Sequence, residues 1–181
     1  VNYLWDFHPA DPPDSQHIIN ISRIYADTTR LTPISGYDWY QIYSSLQDAD
    51  FGIYAAISTT IETNEPPGSA EIDTICIRNM RAMRNVALRS GWGMKGQVRD
   101  SLTNRPVNSR IEFPNPLRWS CYTDPDSGDF HKMLERGTYT IRVCANGYRP
   151  KTISNIVVPD TGYVSVNVSI VPDTVYRYPF K

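Results

Sequence analysis

Glu62 is the residue of this sequence best suited to chemistry. It closes the β-branched run "AISTTIET", where a lone carboxylate is costly to ionise unless it reaches a sheet edge, a partner or a cleft. A glutamate opening onto a cleft can act as general base or acid, whereas one whose head simply reaches water from a strand end has no chemical task. Other reactive residue types are sparse. The histidines are His8, His17 and His131, and the cysteines are Cys76, Cys121 and Cys144, with no C-x-x-C unit of the kind that holds zinc. His8-Pro9-Ala10-Asp11 has H-x-x-D spacing but lies in a proline-rich loop, while His17 is expected on a helix surface and His131 in a strand. None of them is expected to ligate a metal. Cys121 and Cys144 could cross-link in an oxidising compartment. The stretch from Asp124 to Asp129 alternates carboxylates as calcium loops do, yet it lacks the ligand at the twelfth position and reads as a turn.

Two parts with different patterning must position these residues, and they meet near "SGWGMKG". In the first part, "PPDSQHIINISRIYADTTR" reads as a helix capped at Asp14, with Ile18, Ile21 and Tyr25 on its buried face. A long aromatic-rich loop follows, and then the Glu62 run as a strand. Ser69 to Arg89 reads as a second helix. Glu71 and Asp73 lie in its first turns, with Arg78, Arg81, Arg84 and Arg89 further along, as the helix dipole favours. Its buried stripe is expected to be Ile72, Ile75, Cys76, Met83 and Val86. The second part alternates in short runs: Tyr139, Ile141 and Val143 share one face, as do Val164, Val166, Val168 and Ile170. With further runs at 97–99, 110–113, 130–134 and 153–158, about seven strands of an antiparallel sandwich are expected. Tyr122, Phe130, Tyr139 and Tyr148 read as its core or edge aromatics. The first part offers sheet faces and edges without enough chain to cover them, and so reads as a portion of a domain.

Composition narrows the function classes. The 181 residues are 40% hydrophobic and 12% aromatic, enough for an ordinary core, and 18 Lys and Arg against 19 Asp and Glu leave a net charge of −1. No basic cluster tracks phosphates, so nucleic acid is not an expected partner. No apolar run approaches the roughly 20 residues of a membrane span.

In order along the chain, "VNYLWD", "DSQHIINISRIYA", "SGYDWYQIYSSLQDADF", "ISTTIET" and "EPPGSAEIDTICIRNMRAMRNVAL" resemble the last part of the catalytic domain of a zinc metallocarboxypeptidase. The type is the funnelin, in the subgroup of carboxypeptidases N, E, D and M. "GQVRDSLTNRPVNSRIEF" and the run to "YRP" resemble the transthyretin-like sandwich appended to it. The resemblance implies an incomplete mixed-sheet α/β portion over residues 1–91 followed by an all-β sandwich over 92–181. It also implies that Glu62 is the general base and acid. Tyr40, 22 residues before it, becomes the mobile tyrosine that binds the substrate's terminal carboxylate; on its own it reads as a loop anchor. Asp6 and Gln47 become the pocket for a terminal Lys or Arg, where their bland reading is a turn aspartate and a surface amide. By the same resemblance the zinc ligands precede Val1, zinc belongs to the intact enzyme, and this chain alone is inactive. Its partners are peptide C-termini and the missing N-terminal part of the catalytic domain, in an extracellular or periplasmic setting. The alternative is a pseudoenzyme, or a binding or structural module using the sandwich.

Overall fold

The computed structural model describes residues 1–63 and 68–177, mixed α/β with a β-rich second part. Glu65 to Pro67, which open the last quoted stretch of the first part, lie outside the described residues. The chain divides into two compact units, Val1–Ser90 and Gly91–Lys181. No helix among the described residues is long and apolar enough to cross a membrane.

The first unit carries β1 (Asn2–Tyr3), α1 (Ser15–Thr29), β2 (Ile34–Ser35), α2 (Gly36–Trp39), α3 (Leu46–Tyr54) and α4 (Ser69–Ser90). Asp14 occupies the N-cap of α1, but its side chain makes no capping bond to the helix. The first turn is closed instead by Ser15 N donating to Pro12 O and Ile18 N to Asp14 O. Ile18, Ile21, Tyr25 and Ala26 face inward, and Arg30 stops the helix in the left-handed region at φ 65°. His17 is buried rather than on the helix surface. The long loop expected after α1 contains two helices, α2 and α3, the latter capped by Ser45 Oγ accepting from Asp48 N at 3.1 Å.

Helix α4 packs against α1 through Ala82, which is fully buried beside Tyr25, Ala26 and half-buried Val86. Tyr25 also donates to Asn79 Oδ1 at 2.6 Å. The inward stripe is therefore buried Ala82 with half-buried Ile75, Asn79 and Val86; Ile72, Cys76 and Met83, expected in it, are exposed. The sequence places apolar residues on several sides of this helix, so their periodicity did not single out one face. The Glu62 run is a second correction. Residues 56–63 form no strand of a sheet, joining β1 only through the antiparallel bridge of Thr60 to Asn2. β1 pairs instead with β2, in parallel.

Among its described residues the second unit has eight strands: β3 (Gly93–Asp100), β4 (Arg110–Asn115), β5 (Leu117–Tyr122), β6 (Asp129–Lys132), β7 (Gly137–Cys144), β8 (Lys151–Val158), β9 (Tyr163–Ser165) and β10 (Val168–Ile170). One sheet runs β5-β4-β7-β8; in the other, β3 is paired by β6 on one side and by β9 and β10 along the other. The pairings of β9 and β10 with β3 are parallel, so the second unit is not wholly antiparallel. The strand β5 was not anticipated because Pro114 and Pro116 give its entry the signature of a loop. Alternation holds where expected: Tyr139, Ile141 and Val143 are buried on β7, and Val168 and Ile170 on β10. Phe130 joins Tyr139 in the interior, while Tyr122 stays exposed and Tyr148 donates to Asp100 Oδ2 at 2.9 Å. Cys121 and Cys144 form no disulfide and lie on strands flanking β4, too far apart for the bridge considered for an oxidising compartment. The stretch after Asp124 is a turn, with the Asp124 carboxylate accepting from the N–H groups of Asp126 and Ser127.

Candidate active site

The segment that carries Glu62 is held at Thr60, whose backbone exchanges hydrogen bonds of 2.8 and 3.0 Å with Asn2. Two residues on, Glu62 is exposed and lines a cleft of about 340 Å³ together with Asn2, Arg30, Ile34 and Trp39. The Glu62 carboxylate also acts on the Val1 ammonium, whose pKa burial lowers and Glu62 draws back up. Glu62 thus faces the cleft rather than the protein interior.

Trp39 ends α2, and Tyr40 follows it in extended conformation with φ −163°, its N–H donating to Gly36 O. The two rings meet edge to face with centroids 4.8 Å apart. Trp39 lines the Glu62 cleft, whereas Tyr40 is 56% exposed and does not. The phenol stands beside the cleft, one residue from its wall.

Asp6 and Gln47 come together, and both are buried. Gln47 Nε2 donates to Asp6 Oδ1 at 3.3 Å, and Gln47 Oε1 accepts from Thr60 Oγ1 at 3.2 Å. Asn2 Oδ1 lies 3.5 Å from the same Gln47 nitrogen, so Asn2 joins the cleft wall to the buried pair. The Asp6 carboxylate rests over Gly36, where any side chain would collide with it. On the other side Asp6 N donates to both oxygens of Asp48, at 3.1 and 3.2 Å. Burial raises the Asp48 pKa; the Asp6 N–H opposes that rise and the Asp6 charge adds to it. Among the described residues neither Asp6 nor Asp48 has a salt-bridge partner. The buried Asp6–Asp48–Gln47 cluster therefore gathers acceptors without a paired cation, while Arg30 and the Val1 ammonium lie on the cleft wall.

Sequence reasoning missed Asn2, Arg30, Gly36, Trp39 and Asp48. Only Asp48 carried a local signal, as the acid three residues after the Ser45 cap. Among the described residues no three His, Cys, Asp or Glu side chains group as a metal site. His8 lies in an exposed loop, its Nδ1 accepting from Ala10 N at 2.9 Å.

No protein-family model matches the chain. It is 25% identical to Homo sapiens carboxypeptidase D over 149 residues, 77% of this chain and 11% of that protein. To the Rattus norvegicus carboxypeptidase N catalytic chain it is 26% identical over 149 residues, 81% of this chain and 32% of the other. To Caenorhabditis elegans carboxypeptidase E it is 26% identical over 124 residues, 63% of this chain and 26% of the other. By sequence, the chain is similar to carboxypeptidases D, E and N. It spans about a tenth of the carboxypeptidase D chains and about a third or less of the N and E chains. Among solved structures, a type II cohesin–X-dockerin complex from Acetivibrio cellulolyticus matches 43% of this chain and 55% of its own at 20% identity and a TM-score of 0.35, too slight a likeness to carry weight.

Proposed function

We propose that the first unit is the C-terminal portion of the catalytic domain of a zinc metallocarboxypeptidase, and the second its transthyretin-like sandwich. The intact enzyme removes a C-terminal Lys or Arg from peptides. The observation that carries this reading is the cleft shared by Glu62 and Trp39, with Tyr40 next to Trp39 and the Asp6–Gln47 pair joined to the wall through Asn2.

In that cleft Glu62 takes a proton from the water that attacks the scissile carbonyl. It returns a proton to the amine nitrogen as the C–N bond breaks. The Tyr40 phenol donates a hydrogen bond to the substrate's terminal carboxylate, which a neutral tyrosine can do. Asp6 and Gln47 favour a cationic terminal side chain, the charge lacking around the buried acids. The described side chains of this chain do not fit a zinc site, so the reading assigns the metal, which activates water in such enzymes, to residues outside it. The isolated chain is then inactive.

The deciding experiment is Glu62→Gln in the intact protein, assayed on a peptide ending in arginine alongside zinc analysis. The variant should keep about one zinc per chain and lose at least about 100-fold in kcat. Activity close to that of the parent would remove Glu62 from the role, and absence of zinc from the active parent would remove the metallopeptidase reading.

A further inference from the structure

A cleft of about 540 Å³, lined wholly by the second unit, lies on the sheet that contains β3. Its floor is a grid of opposed side chains, because Lys95 pairs with His131 and Gln97 with Asp129 across β3 and β6. Strand geometry sets those four about 5 Å apart across the strands and about 7 Å along them. Ser165 and Asn167 border the grid on one side, and the exposed ring of Tyr122, with Asp124, closes it on another.

The polar groups of this grid are already oriented by their neighbours. Gln97 Nε2 donates to Asp129 Oδ1 at 2.7 Å, and Asn167 Oδ1 accepts from Gln97 N at 3.1 Å. Each bond fixes a planar group by one atom and leaves its second, Asp129 Oδ2 or Asn167 Nδ2, for a ligand. Lys95 rests its ammonium 3.4 Å above the Tyr163 ring. The partly covered imidazole of His131 is held below its ordinary pKa, first by desolvation and then by Lys95, and so offers one donor and one acceptor at pH 7.

The charges do not select an ion. Lys95 balances Asp129, and the Asp124 carboxylate is occupied in its own turn, where Asp126 N, Ser127 N and Ser127 Oγ all donate to Oδ1. An anion would meet two carboxylates and a cation would meet the lysine. What matches is a neutral molecule whose closely spaced groups each donate and accept, with an apolar face for a tyrosine ring. We propose that this cleft is a binding site for a neutral oligosaccharide, with Asp129 and Asn167 bonding adjacent hydroxyls and Tyr122 covering the apolar face of a sugar ring. The volume falls within the about 300–1,000 Å³ typical of small-molecule sites, with room for a short oligosaccharide.

The test is titration of maltotriose, cellotriose and triacetylchitotriose into the full chain, followed by calorimetry and by saturation-transfer NMR on the sugar protons. At least one should bind saturably with a Kd of about 1 mM or tighter. Tyr122→Ala and Asp129→Asn should each weaken it about tenfold at unchanged melting temperature; the second variant is nearly isosteric and guards against a folding defect in the first. The proposal is overturned if none of the three saturates by about 10 mM, or if binding is the same in both variants. It is also overturned if an uncharged decapeptide, rather than a sugar, binds and is lost in those variants, which would make the cleft a polypeptide site. Glu62→Gln should leave sugar binding untouched, so failure here and failure of the peptidase reading are separable.

Discussion

Asp6 and Gln47, 41 residues apart in the chain, meet side chain to side chain at 3.3 Å in the interior of the first unit. Among the described residues neither pairs with a cation, so the proposed peptidase leaves that charge to its substrate. In the intact enzyme Asp6→Asn should lower kcat/KM for peptides ending in Lys or Arg by about 10–100-fold, the worth of a hydrogen bond to a charged group. Peptides ending in a neutral residue should change much less. Equal losses on both substrate classes would mean that Asp6 is structural.

Gly36 permits that arrangement, because a Cβ there would collide with the Asp6 carboxylate and come within 2.7 Å of Asn2 Oδ1. Gly36→Ala should destabilise the protein by about 1–3 kcal/mol in denaturant titrations. Gly52→Ala is the control, since a Cβ there meets nothing within 4 Å. Lying inside α3, it should be stabilising by about 0.5–1 kcal/mol.

Asp100 gives the second unit an acid-sensitive joint. Its pKa is lowered chiefly by the N–H groups of Thr103 and Leu102, which outweigh the opposing effect of burial, and to a lesser degree by the Tyr148 hydroxyl. A depressed folded pKa means that the carboxylate stabilises the fold fully above its ordinary value of 3.8 and loses that contribution as pH falls toward the folded value. Urea midpoints of the parent and Asp100→Asn should therefore differ most above about pH 4 and converge below it. A gap independent of pH would show that the loss comes from packing alone.

The thiols give a chemical check on strand order. Cys121 and Cys144 lie on β5 and β7 with β4 between them, about 9–10 Å apart at two strand spacings, beyond the roughly 7 Å a disulfide spans. A maleimide should label the exposed Cys76 in the native protein and all three cysteines after unfolding without reductant. Two thiols missing from the unfolded protein would contradict this strand order.

Much of the fold was legible where one face is buried and the other wet. The stripe Ile18, Ile21, Tyr25 and the alternation Tyr139, Ile141, Val143 stand in the structure as their spacing implies. Partner choice was not legible, because the parallel pairing of β9 and β10 with β3 depends on chain 70 residues away, as at Val98 and Val168. "AISTTIET" has the composition of a strand, yet composition supplies no neighbour, and only Thr60 finds one. In the candidate site, Asp6 and Gln47 were nameable through a resemblance. Asp48 and Gly36 become visible only when the chain brings them against Asp6.

The strand that begins the second unit is bonded along one edge by residues 129–132 and along the other by 163–170. During synthesis it must wait, half-dressed, until nearly the last of the described chain has left the ribosome. A stop codon before Tyr163 would thus remove more than a tail: it would bare a full edge of the innermost strand, an invitation to pair with other chains.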